Sequence, residues 1–168
     1  MDGKINKFFN LKNSILIIIT ICLFTIITSN IVYNYEHILS TQDASNYILL
    51  AKDLRNYLNV PHQDALRVFP SLLAFFLTNL GFNIENSFKI LTYLSFIILN
   101  IKLFLFITSY NIKNYLAISS IGIIIYANHS IIYSVFNYYQ LVDLLSYILI
   151  IFFIDLLKNE KHKLLFIV

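Results

Sequence analysis

The chain has 168 residues, of which 58% are hydrophobic and 12% charged, with a mean hydropathy of +0.73. A soluble domain carries about 25% charged residues, so the composition excludes an ordinary water-facing surface and points to an integral membrane protein. The net charge of +3 is small and the lysines are scattered, which argues against nucleic acid as a partner, and the lone Cys22 excludes an internal disulfide.

Residues 1–13 form a short basic leader, with Lys4, Lys7 and Lys12 against Asp2. Residues 14–33 follow as an uncharged apolar run of 20 residues. At about 1.5 Å per residue that is long enough to cross a bilayer. A cleavable signal core is shorter, about 7–15 residues, and is followed by small residues at the cut site. The run is therefore predicted to be a retained signal-anchor and first transmembrane helix.

Residues 34–89 hold the only long stretch too polar for lipid, and with it both arginines, Arg55 and Arg67. Within it Ala44, Tyr47, Ile48, Ala51, Leu54 and Leu58 recur at helical spacing, mostly opposite Lys52, Asp53, Asn56 and Asn59. This pattern predicts an amphipathic surface helix near residues 42–59, ended by Val60-Pro61 because the residue before proline disfavours the helical region. Residues 68–80 are apolar, with Pro70 in the first turn and Gly81 just past the end. That length suits a second interfacial helix better than a span.

Three longer apolar runs, residues 90–108, 115–133 and 138–157, are predicted to be transmembrane helices 2 to 4. Residues 158–168 form a tail whose last part, Leu164 to Val168, opens a further apolar run, as in the N-terminal part of a longer protein. The expected fold is all-α: a polytopic membrane protein with about four transmembrane helices and juxtamembrane amphipathic helices in the first outer loop.

Lysine placement orients this arrangement. Were residues 68–80 to cross, Lys158, Lys161 and Lys163 would lie outside, against the positive-inside rule. If they do not cross, the leader lysines, Lys113 and the Lys158–Lys163 cluster all fall inside. The expectation is a multi-pass protein of the plasma (inner) membrane with a cytoplasmic N-terminus and residues 34–89 outside. Lys102 fits least well and must snorkel toward the inner end of its span.

Asp43 stands at the entrance of the first surface helix, where a carboxylate could take a proton from an acceptor or hold a divalent cation. Ser40-Thr41-Gln42-Asp43 also fits a capping box, and the two readings are compatible. Asp143 falls within the last predicted span. An acid at helix-centre depth costs roughly 2.5–3.5 kcal/mol and usually faces a cavity or a partner. The plainer alternative is a polar contact between helices.

Asp155 can pair with Lys158 and reads as structural. Arg67 suits phosphate because its planar fork binds two oxygens, although it also suits an interfacial anchor. His62 and Asp64 lie near enough in sequence to join a phosphate or metal site, but two ligands do not make a metal motif. Asn128-His129-Ser130 either lines the same cavity or makes interhelical hydrogen bonds. Asp53 and Arg55 read as a solvated face. GxSxG, HExxH, P-loop and CxxC patterns are absent, so serine hydrolase, zincin and P-loop readings have no support.

The order of these features resembles the N-terminal part of polytopic glycosyltransferases of the GT-C fold, in the branch of the protein O-mannosyltransferases and lipid A aminoarabinose transferases. In that family a first span leads to an outer loop opening on Asp-x-x-x-Tyr-x-x-x-Ala. The matching residues here are Asp43-Ala44-Ser45-Asn46-Tyr47, followed by Ala51. A His-Pro-Pro-Leu-like element then opens a short apolar helix. Here the stretch from His62 to Leu73 carries Phe69-Pro70-Ser71-Leu72 in that position, without the paired prolines. A second outer acid falls near the start of a later span, where Asp143 stands.

The resemblance covers about residues 15–158 and does not include the family's later spans and acceptor-binding region. It implies sugar transfer from a polyprenyl-phosphate-linked donor on the non-cytoplasmic face, with Asp43 as base or metal-binding carboxylate and Asp143 assisting. A divalent metal held by those two acids is the candidate cofactor. Arg67 joins the site as a donor-phosphate contact on its chemistry alone, with His62 and Asp64 beside it as substrate-binding candidates. The expected partners are membrane lipid and the lipid-linked donor. Three alternatives stay open: a transporter or flippase fragment, an assembly partner, and an inactive truncated remnant.

Overall fold

The computed structural model describes residues 9–32, 42–58, 68–127 and 143–158. Among these residues the chain is all-helical, with α1 (Leu11–Val32), α2 (Gln42–Lys52), a 3-10 turn (Leu54–Leu58), α3 (Val68–Asn79), α4 (Ile84–Thr108), α5 (Asn114–Ala127) and α6 (Asp143–Lys158). The later part of the run predicted over residues 115–133 and the opening of the one over residues 138–157 lie outside the described residues.

Asn10 starts α1. Its side-chain oxygen accepts the Asn13 N–H at 2.8 Å and its carbonyl accepts the Ser14 N–H at 2.9 Å. The helix is apolar on every side, and its three threonine hydroxyls are satisfied within it. Thr20, Thr25 and Thr28 donate to the carbonyls of Leu16, Ile21 and Phe24 at 2.9, 2.8 and 2.9 Å. Such back-bonding hides a polar group from a low-dielectric solvent.

Two helical corrections follow from polar residues that hydropathy cannot weigh. The surface helix expected over residues 42–59 breaks after Lys52, and a 3-10 turn takes over. Asp53 causes the break. Its carboxylate accepts the backbone N–H of Arg55 at 2.9 Å, and its carbonyl accepts the Asn56 N–H at 3.0 Å. Aspartate offers the backbone this local alternative to the helical ladder.

The second correction concerns α4, which begins at Ile84 and not near residue 90. Asn83 is extended (φ −69°, ψ 158°), and its side chain accepts the Asn86 N–H at 2.7 Å. Glu85 pairs with Lys89 one turn on at 2.9 Å. Cap and ion pair carry the helix outward past its apolar stretch.

The connections are tight. At the end of α3, Gly81 takes φ +99°, a conformation glycine adopts without steric cost. Phe82 N–H reaches the Leu77 carbonyl at 3.3 Å and Gly81 N–H the Thr78 carbonyl at 3.0 Å, a Schellman closure that folds α3 back on α4. Between α4 and α5 the positive φ of 62° falls on Asn111, a residue type that tolerates it.

Two buried clusters hold the helices together. The larger joins Ile18, Cys22 and Ile26 of α1, Phe96 and Phe104 of α4, Ala117, Ile118, Ile121 and Ile125 of α5, and Leu144 of α6. The smaller joins Tyr47 and Ala51 of α2, Ala74 of α3, and Phe88 and Leu91 of α4. Helix α4 therefore carries both, the smaller on its first turns and the larger beyond. Its buried stripe includes Ser87, Thr92, Ser95 and Asn100, small or polar residues that let backbones approach closely.

Helices α1 and α5 run parallel. Asn114 at the start of α5 donates to the Phe9 carbonyl at 2.7 Å, and the rings of Phe9 and Tyr115 lie 6.3 Å apart. Toward their other ends the Thr25 and Tyr126 hydroxyls are hydrogen-bonded at 3.0 Å. Helix α4 enters α5 through a short turn and so runs opposite to both. One end of the bundle thus gathers the start of α1 and the α4–α5 turn, with Lys12 and Lys113 exposed there. The start of α4 lies at the other end, with α2 and α3 packed on it.

Among the described residues two helices, Leu11–Ser29 and Ile84–Thr108, are long and apolar enough to cross a membrane, with mean hydropathies of 2.1 and 2.2. Only 28% and 33% of those windows are buried inside the chain, whereas the core helix of a soluble protein is mostly covered. Leu16, Leu23, Phe24 and Ile27 on α1 and Leu94 and Ile98 on α4 form the uncovered faces. The 12 residues of α3 reach about 18 Å, short of a hydrocarbon core of about 30 Å.

Candidate functional site

Asp43 is the second residue of α2, and Asp143 is the first described residue of α6. Helix α2 packs on α3 and the first turns of α4, while α6 packs along α4. The two acids therefore enter the structure on elements that share α4 as their common support. Arg67, His62 and Asp64 lie outside the described residues, as do Asn128, His129 and Ser130. Among the described residues no group of three or more His, Cys, Asp or Glu side chains comes together as a metal site.

Ser71 ties α3 to α2. Fully buried, it donates its hydroxyl to the Tyr47 carbonyl at 3.2 Å. With Tyr47, Leu50 and Ala51 buried, α2 has a fixed inner face, and its opposite face, Ser45, Ile48, Leu49 and Lys52, turns outward. These four recur at helical spacing and form one wall of an open cleft of about 610 Å³. The other wall is the start of α4, with Asn83, Ile84 and Glu85. Asn83 and Glu85 are already engaged, one as helix cap and one with Lys89. Lys52 is exposed and makes no ion pair among the described residues.

The sequence reading missed this cleft. Lys52 was legible only as part of the polar side of an amphipathic helix, and Asn83 and Glu85 fell in a predicted loop. The i, i+3, i+4, i+7 spacing from Ser45 to Lys52 was the available signal.

Asp53 and Arg55, expected as a solvated face, form a mutual pair there. The Arg55 side chain donates to both carboxylate oxygens at 2.6–3.0 Å. These side-chain hydrogen bonds first, and the Arg55 backbone N–H second, hold the Asp53 carboxyl below its usual range. Both side chains are exposed, Arg55 at 90%.

Lys102 is half-buried on α4, with its Nζ 5.9 Å from the centre of the Phe152 ring of α6. A cation over an aromatic face keeps part of its electrostatic stabilisation away from water. That contact could not be read from the sequence, which offered Lys102 only a route to the inner surface.

No family model, no curated protein and no solved structure matches this chain.

Proposed function

We propose that the chain is the N-terminal part of a multi-pass membrane glycosyltransferase that takes a sugar from a polyprenyl-phosphate-linked donor on the non-cytoplasmic face of the plasma (inner) membrane. The observation that carries the reading is the placement of α2 and α3 together at one end of a bundle containing two apolar helices, with exposed Lys12 and Lys113 at the other. On the α2–α3 side, by contrast, Arg55 and Lys89 are paired with acids, and among the described residues there Lys52 alone is not. Such an arrangement supports the N-terminus and the α4–α5 turn facing the cytoplasm, where lysine is favoured. The α2–α3 platform then meets the headgroups of the opposite leaflet.

In this reading Asp43 accepts the proton of the acceptor hydroxyl as that oxygen attacks the sugar carbon, and the lipid phosphate leaves with the bonding electrons. Asp143 holds the acceptor in place. Arg67, with His62 and Asp64 near it in sequence, neutralises charge on the leaving phosphate.

The test is sugar transfer from a radiolabelled polyprenyl-phosphate donor in membranes containing the full-length protein. Asp43→Asn should lower the rate by about 10²–10⁴, the usual contribution of a general base. Transfer at the wild-type rate would remove Asp43 from this role. A non-enzymatic transporter is the second reading, favoured by Lys102, an ionisable group on α4 whose Nζ lies 5.9 Å from the centre of the Phe152 ring of α6. It predicts that Lys102→Met abolishes solute flux in vesicles, whereas the enzyme reading leaves transfer intact in that variant.

A further inference from the structure

We propose that the cleft between α2 and the start of α4 holds the phosphate head of a single membrane lipid, with Lys52 as the charge that selects it. This inference rests on the membrane reading and is independent of sugar transfer. The cleft lies beside the first turns of α4, where that helix passes from its capped, ion-paired opening into its apolar length. Its volume of about 610 Å³ lies within the range typical of ligand sites, about 300–1,000 Å³.

Two features decide the class of occupant. Ile48, Leu49 and Ile84 present apolar wall, with Leu49 43% exposed although it sits among buried neighbours. Lys52 adds an ammonium without an ion-pair partner among the described residues. Glu85, the one acid on the lining, is paired with Lys89 at 2.9 Å, so among the described lining residues Lys52 is the charge left for an occupant. Inorganic phosphate would match Lys52 and leave the apolar wall wet. A neutral alkyl chain would cover the wall and leave the ammonium unmatched. An anionic head followed by its first methylenes satisfies both, and a lipid at the membrane rim is such a molecule.

The experiment measures lipids retained by the full chain released from detergent micelles, by native mass spectrometry. Phosphatidylcholine, phosphatidylglycerol and a polyprenyl monophosphate are offered at equal concentration. One anionic lipid should be retained in preference to phosphatidylcholine. Lys52→Gln should lower that preference about fivefold, which corresponds to about 1 kcal/mol for one lysine at a membrane surface. Lys52→Arg should keep it, and so should Lys113→Gln, a change at the other end of the bundle. Leu49→Gln should reduce retention of both anionic lipids. Preference for the polyprenyl phosphate alone would identify a carrier lipid, and equal retention of both anions a bulk phospholipid. Unchanged preference in Lys52→Gln, or its loss in Lys113→Gln, would overturn the proposal.

Discussion

Truncating Phe88 tests whether the chain is held as two clusters sharing one helix. Phe88 is fully buried and packs with Tyr47 and Ala51 of α2, Ala74 of α3 and Leu91 of α4. Where such a site excludes water, Phe→Ala costs about 3–5 kcal/mol. If it excluded lipid instead, only packing would be lost, because acyl chains are as apolar as the side chain removed. The smaller cluster lies beside the polar opening of α4, so the water-excluding figure applies.

At about 1.4 kcal/mol per tenfold, a loss near 3 kcal/mol is roughly a hundredfold in a local opening equilibrium. Hydrogen exchange in micelles reads it directly. Amides of α2 should exchange about a hundredfold faster in Phe88→Ala, while α1 and α5 keep their protection, because their contacts lie in the larger cluster. Equal loss of protection in α1, α2 and α5 would refute the two-cluster account. Unchanged protection of α2 would show that Phe88 does not hold the platform at all.

Two further outcomes are expected. In a double-mutant cycle of Thr25→Val and Tyr126→Phe, the 3.0 Å hydrogen bond between α1 and α5 should appear as a coupling of about 0.6 kcal/mol, typical of such bonds in membranes. A coupling indistinguishable from zero in detergent unfolding would mean that the bond does not bind these helices. Asp53 should titrate below the ordinary carboxylate range, because its hydrogen bonds from Arg55 favour the charged form. A lowered pKa makes the pair's contribution complete above the ordinary value and lost only as pH falls through the lowered one. NMR titration checks this, and Arg55→Gln should return the carboxyl to its usual range.

The apolar runs were legible because lipid-compatible helices need only length and the absence of charge. The apolar run of α1 met both conditions in the sequence, and the apolar body of α4 met the first, with Lys102 as its one charge. The start of α4 was hidden because a cap at Asn83 and a Glu85–Lys89 pair extend a helix without adding hydropathy. The early end of α2 was hidden for a related reason. The local bonds of Asp53 outweigh a helical pattern that continues on paper through Leu58. Of the candidate site, the sequence named acids and cations one at a time. The cleft at Lys52 needed two segments more than thirty positions apart in the chain to be placed side by side.

By itself the sequence determined that the chain is helical and carries long apolar runs, since both follow from composition and periodicity along single segments. It could not determine which face of α1 is inward, because Leu16 and Ile18, or Leu23 and Ile26, are equally apolar. Tertiary structure chose Ile18, Cys22 and Ile26 for the core and left Leu16, Leu23 and Phe24 uncovered. The reason is physical. When every side of a helix is apolar, hydrophobicity no longer distinguishes inside from outside, and the choice passes to shape, to small residues that permit close approach, and to single hydrogen bonds such as that between Thr25 and Tyr126.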